Sequence, residues 1–239
     1  METGPTFEEL KISLREPVNG LDAVAGDLGI PEWWPTGSRA SVVLVHGATG
    51  DKEEPLIRDL HRALTERKYL CLRFNFPFAQ AGKKRPDPIP VLQNTLRAAI
   101  AVLGRDPSAI PSHLLLLGKD LGASVIAHTA AHHRLRVEGI ALLGYPLHPQ
   151  GKPEKLRADD LFRIVCPTLF IQGKHDRQCD LTALRQTLLR VGAPTTLHTV
   201  EAADHNLKIP KKAERSQEDI HGEILNAVDA WIGKILGGV

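Results

Sequence analysis

Residues 114–123 read Leu-Leu-Leu-Leu-Gly-Lys-Asp-Leu-Gly-Ala, an apolar run that ends in a Gly-x-Asp-x-Gly turn and leads into a helical segment. This is the layout of a nucleophile elbow, a sharp strand-to-helix turn that lifts one reactive side chain above a sheet. The raised position holds a carboxylate, Asp120. Two further residues complete a triad in the chain order nucleophile, acid, histidine: Asp176, after the apolar segment 168–173, and His205, in a polar loop before the last helical stretch. His205 would serve as the base, with Asp176 holding its tautomer and stabilising the imidazolium. The turn at 46–50 would supply an oxyanion donor from the Ala48 amide, and Leu121 the other.

Each residue also has a plainer role. Asp120 could serve only as an N-cap for a helix beginning at Leu121, a contribution of about 1 kcal/mol. Asp176 could be a turn former, and His205 a surface histidine between Asp204 and Asn206. Their agreement in order and position favours the joint reading.

The elements needed to position these residues follow from periodicity. Segments 7–14 and 23–30 form a lead-in hairpin around a turn at 17–20. Apolar runs predict buried strands at 41–46, 69–74, 113–117, 139–143, 167–172 and 195–200. Between them, stripes spaced like Leu56, Ile57, Leu60 and Leu64 predict helices at 55–67, 90–103, 121–133, 181–191 and 216–235. Regular alternation implies a mostly parallel sheet with helices on both faces and chemistry at the carboxyl ends of the strands. That rim would carry His46, Phe76 and Tyr145, expected to line the substrate, beside Asp120, Asp176 and His205. Trp33 and Trp34 are expected to pack or to form a lid.

Other chemistries lack their residues. His128 and His132 are four apart on one helix, but no intervening Glu and no obvious third ligand accompany them, so no metal is expected. The 47–52 turn does not meet the P-loop pattern, and 118–122 lacks dinucleotide spacing; no cofactor is expected. Cys71, Cys166 and Cys179 are an odd number without Cys-x-x-Cys spacing, which argues against a disulfide framework.

The 239 residues suit one α/β domain, with a lead-in over 1–36 and a core over 40–236; no linker composition divides them. A net charge of +2 gives no reason to expect nucleic acid or a membrane as partner. No apolar run approaches the roughly 18 residues of a bilayer span. The first residues lack the apolar core of a secretion signal, so a cytoplasmic protein acting on a small molecule is expected.

Several stretches carry a resemblance: His46-Gly47-Ala48-Thr49-Gly50, Arg73-Phe74-Asn75-Phe76-Pro77-Phe78, Gly118-Lys119-Asp120-Leu121-Gly122, Gly144-Tyr145-Pro146-Leu147-His148-Pro149, Gln172-Gly173 with Asp176, and Asp204-His205. Together they resemble the small α/β-hydrolases related to dienelactone hydrolase. Within that group the chain is most similar to the family of testis-expressed protein thirty and subunit three of the NSL acetyltransferase complex. The resemblance implies an α/β-hydrolase fold over about residues 40 to 236, without a large cap domain, and a hydrolase.

The chain departs from that family at Asp120, where serine is usual. A carboxylate attacking an ester would form an anhydride while expelling a more basic alkoxide, an uphill exchange. Three readings follow. One is a hydrolase of a small, ester-like substrate with an Asp-His-Asp triad. Another is a catalytically silent protein that binds a ligand or protein partner. The third is a dehalogenase- or epoxide hydrolase-like enzyme in which Asp120 attacks alkyl carbon; Leu121, where those enzymes place tryptophan, weighs against it.

Overall fold

A computed structural model describes residues 4–32, 40–104, 111–133 and 135–237. Trp33 and Trp34 lie outside the described residues. The strands are β1 (Thr6–Val18), β2 (Leu21–Ile30), β3 (Ala40–Val45), β4 (Leu70–Phe74), β5 (His113–Lys119), β6 (Gly139–Leu143), β7 (Thr168–Gly173) and β8 (Thr195–Val200). The helices are α1 (Pro55–Glu66), α2 (Pro77–Gln80), α3 (Ile89–Val102), α4 (Leu121–His132), α5 (Leu181–Leu188) and α6 (Gln217–Ile235). The strands are hydrogen-bonded in the order β1-β2-β4-β3-β5-β6-β7-β8, a mostly parallel sheet. The chain divides into two compact units, Met1–Leu116 and Leu117–Val239.

In the first unit β1 and β2 pair antiparallel, β2 pairs antiparallel with β4, and β3 lies parallel to β4. All six residues of β3 are buried, which a two-sided apolar run permits and an alternating one would not. Helix α1 starts with Pro55, whose fixed φ suits the first turn, and buries Leu56, Ile57, Leu60 and Leu64. A buried ion cluster pins the loop after β3. Asp27 on β2 takes Lys52 Nζ at 2.8 Å and the Arg73 guanidinium of β4 at 2.7 Å, while Asn75 Oδ1 accepts the Lys52 amide at 2.7 Å. The hairpin turn is Asn19-Gly20, tighter than the expected 17–20, because β1 continues to Val18, which pairs with Leu21. The four-residue α2 is too short for helical periodicity to reveal.

In the second unit β6, β7 and β8 run parallel, and every residue of β6 and β7 is buried. Helix α4 buries Gly122, Ala123, Val125, Ile126 and Ala127, small and branched residues that suit close packing. Helix α6 buries Ile220, Ile224, Val228, Trp231 and Ile232, which share one helical face. Helix α5 stops at Leu188, short of the expected 191, and leaves Leu189 exposed; Gly192 and Pro194 turn the chain into β8. Between β6 and β7 the described residues hold only a 3₁₀ turn, Leu161–Arg163, so no cap domain stands there. Burial pushes the Cys71 thiol up to about 12, as suits a small core residue.

The start of α6 is fixed by a capping box: Ser216 Oγ accepts the Asp219 amide at 3.1 Å and Asp219 accepts the Ser216 amide at 2.8 Å. Ser216→Ala is therefore expected to destabilise the protein by about 1 kcal/mol, or roughly 2–4 °C in thermal midpoint. A midpoint equal to that of the parent chain would remove the cap's role.

Candidate active site

Asp120 sits between β5 and α4 with φ 50° and ψ −111°, a conformation rare for a residue with a Cβ. Such a residue costs on the order of 1–3 kcal/mol and persists only where its surroundings enforce it. Here they do. The Asp120 amide donates to Leu143 O at the end of β6 at 2.9 Å, and the Asp120 carbonyl accepts the Ser124 amide at 3.0 Å. A Cβ on Gly118 would lie 2.6 Å from the carbonyl carbon and oxygen of Gly122, so strand and helix backbones approach to contact.

The Asp120 side chain makes no capping hydrogen bond to α4. Its Oδ1 instead accepts from His205 Nε2 at 3.1 Å, and His205 Nδ1 lies 2.8 Å from Asp176 Oδ2. The three residues form one hydrogen-bonded line, all of it inside the second unit. The Asp176 side chain is fully enclosed and that of His205 is 11% exposed, so neither is a surface group. Asp176 also accepts the Gln178 amide at 2.6 Å, which makes it a turn former as well as the histidine's partner.

An imidazole flanked by two carboxylates satisfies both only as the doubly protonated cation. Burial lowers the pKa of His205, but hydrogen bonds to Asp120 and Asp176 and the charges of both outweigh it, and the net shift is upward, to about 9. At neutral pH His205 is an imidazolium.

The loop carrying His205 is held by its neighbours. Asp204 Oδ1 accepts the Asn206 and Lys208 amides at 2.8 and 3.0 Å. Gly144, with φ 56°, follows β6, and a Cβ there would overlap the His205 carbonyl oxygen. The stretch after it anchors the acid loop. The Tyr145 amide donates to Gln172 Oε1 at 3.0 Å, Gln172 Nε2 donates to Asp176 Oδ2, and His148 Nε2 accepts the Asp180 amide at 2.9 Å.

Gln172 thus holds Asp176, a contact that the sequence reading, which quotes Gln172 only as part of the resemblance, does not assign. Lys119 makes a second such link. Buried at 3% exposure, it donates to Asn206 Oδ1 at 3.2 Å, joining the elbow to the histidine loop.

The residues expected to line substrate are placed differently. His46 and Phe76 are fully buried in the first unit, where His46 Nδ1 donates to Gly47 O at 2.8 Å and Nε2 accepts the Phe76 amide at 3.0 Å. Tyr145 is 3% exposed and its hydroxyl donates to Arg157 O at 3.0 Å. The side chains of these three residues turn into protein because loops leaving a buried sheet need their own small cores. Ala48 lies half-buried in the turn after β3, and Leu121 is half-buried as the first residue of α4. His205 instead borders a cleft of about 650 Å³ lined also by His175, Arg177, Gln178, Asn206 and Lys208.

Residues 38–233 match the model of the alpha/beta hydrolase domain. Among solved structures, dienelactone hydrolase from Anabaena variabilis is similar, with 19% identity and a TM-score of 0.72 over 96% of this chain and 97% of that one. An α/β serine hydrolase without lid from Xanthomonas campestris aligns with 21% identity and a TM-score of 0.68, covering 94% and 95%. Est1E from Butyrivibrio proteoclasticus, with ferulic acid bound, gives 16% identity and 0.69, covering 92% and 99%. At these identities the likeness is one of fold.

Two expectations follow from the geometry. Because the folded pKa of His205 lies above the ordinary value of 6.5, its charge stabilises the fold fully below about 6.5, and that contribution is lost as pH rises through about 9. The melting-point gap between the parent and His205→Gln should narrow between pH 7 and pH 10; a constant gap would contradict the imidazolium. Gly144→Ala should displace the histidine loop, measured as loss of the downfield imidazole N–H resonances at neutral pH, whereas an unchanged spectrum would show that the contact is soft.

Proposed function

The chain belongs to the alpha/beta hydrolase domain family, and from that premise we propose that it hydrolyses a small, ester-like substrate with Asp120, His205 and Asp176 as catalytic residues. The observation that carries the reading is the line Asp120–His205–Asp176, closed at 3.1 and 2.8 Å around a protonated imidazole. A serine mechanism needs a neutral histidine to remove the hydroxyl proton. This site has neither the hydroxyl nor, at pH 7, the neutral base.

It has the complementary pair, a carboxylate that accepts a proton and an imidazolium that gives one. Water is the nucleophile. Asp120 takes its proton as the oxygen adds to the ester carbon; the bond to the leaving oxygen breaks, and His205 protonates that oxygen. The products are an acid and an alcohol. Asp120 is then neutral and His205 has lost a proton, so transfer across their 3.1 Å hydrogen bond restores both. The Leu121 amide, on the first turn of α4 where helix N–H groups lack helical partners, suits the developing oxyanion. The cleft sets Arg177 and Lys208 beside Asp204, a lining of mixed charge that suits a polar substrate. The 144–149 stretch and the 118–122 turn support the narrower kinship with the group of testis-expressed protein thirty.

The test is hydrolysis of a short-chain p-nitrophenyl ester from pH 5 to 10 by the parent chain, His205→Ala and Asp120→Ser. The parent rate should hold through neutral pH and fall above about 9, where His205 loses the proton it must donate. His205→Ala should lower the rate by roughly 100-fold or more. A rate that climbs up to pH 9 would make His205 a base and overturn the mechanism. A silent parent beside an active Asp120→Ser would establish the second reading, a ligand-binding protein locked by its own ion pair, which the elevated histidine pKa favours.

A further inference from the structure

We infer that His128, His132 and Asp160 form a binding site for a divalent transition-metal ion, separate from the triad. His128 and His132 stand one turn apart on α4, and their rings approach to 4.4 Å between centroids. Sequence alone offers no third ligand for this pair. The fold brings one from 28 residues beyond His132: Asp160, immediately before the 3₁₀ turn Leu161–Arg163, which packs on α4 and buries Leu161. Asp160 Oδ2 lies 2.9 Å from His128 Nδ1, and Oδ1 lies 2.9 Å from His132 Nε2. The three ligand atoms all fall within 4.8 Å of one another.

These distances are near those a metal needs. Bonds of about 2.0–2.1 Å in a tetrahedral site separate ligand atoms by about 3.3 Å, and from a cluster whose ligand atoms all lie within 4.8 Å of one another, side-chain rotation brings them to that spacing. Two imidazole nitrogens and one carboxylate suit zinc, nickel, copper or cobalt rather than magnesium or calcium, which prefer all-oxygen shells. The side chains are 36%, 36% and 27% exposed, so solvent has access and water can fill the remaining coordination positions.

Binding would replace hydrogen bonds at two ring nitrogens by metal bonds. The ion would bridge α4 to the segment between β6 and β7. Asp120 begins the same helix, but the site uses none of the triad residues.

The test is calorimetric titration of Zn²⁺ into the full chain, free of any histidine tag and stripped with chelator, at pH 7.5. His128→Ala, His132→Ala, Asp160→Asn and His205→Ala are titrated in parallel. One equivalent should bind the parent, with affinity reduced at least tenfold in each of the first three variants and unchanged in His205→Ala. Because His132 is exposed, its alanine variant should fold as the parent does, and its circular dichroism checks this. Co²⁺ should give visible d–d absorption that disappears in the same three variants. No binding by the parent at 100 µM Zn²⁺ would overturn the inference, as would binding undiminished in His128→Ala and His132→Ala or abolished in His205→Ala.

Discussion

The site depends on contact between backbones, made where two glycines leave no side chain in the way. Gly118 lets β5 touch the first turn of α4, and the turn between them then has no choice but the positive φ of Asp120. Gly144 lets the histidine loop rest its carbonyl on the end of β6. A methyl group at either point would enter occupied space in a close-packed interior, where small volume changes are resisted. Both constraints act at the carboxyl ends of neighbouring strands. The sheet therefore sets the triad geometry, and the side chains inherit it.

Electrostatics follow from that geometry. His205 is mostly enclosed, an environment that by itself would favour the neutral ring, yet it faces a carboxylate at each nitrogen. The opposite charges win because they are in hydrogen-bond contact, where Coulomb energy in a medium less polar than water is largest. Each member relies on the others. Without His205, Asp120 and Asp176 would be two anions facing a common space; without either acid, the buried cation would lose its support. Lys119, buried beside Asp120 in the chain, ties the elbow to Asn206 in the histidine loop.

Much of this is legible in the sequence because burial on two faces writes long apolar runs. Segments 41–46 and 139–143 match β3 and β6 within a residue, since parallel strands covered by helices have no polar face to interrupt them. Order along the chain suffices to nominate Asp120, Asp176 and His205. Their hydrogen bonding, across 85 and 29 residues, is a product of strand order. Side-chain direction is harder to read. His46 and Phe76 sit at a strand end where a substrate residue belongs, but the loop there needs its own small core, and ring contacts among His46, Phe76 and Phe78 fill it. Gln172 and Asp160 leave no periodic trace at all, because each acts through a partner brought near by the path of the 144–164 segment.

The carboxylate at the elbow changes which proton is available. A hydroxyl there would be a neutral neighbour of His205, removing one of the two negative charges that raise its pKa and leaving a histidine able to accept a proton near pH 7. In the mechanism we propose, Asp120 reverses the assignment: the elbow group accepts and the histidine donates. The two arrangements share a backbone, an acid and a histidine and differ in one side chain, so their fold carries no information about which operates. That information lies in the charge of the imidazole, which the short contacts on both of its nitrogens determine. A likeness of fold to serine hydrolases therefore transfers the scaffold to this chain while its chemistry has to be derived from Asp120.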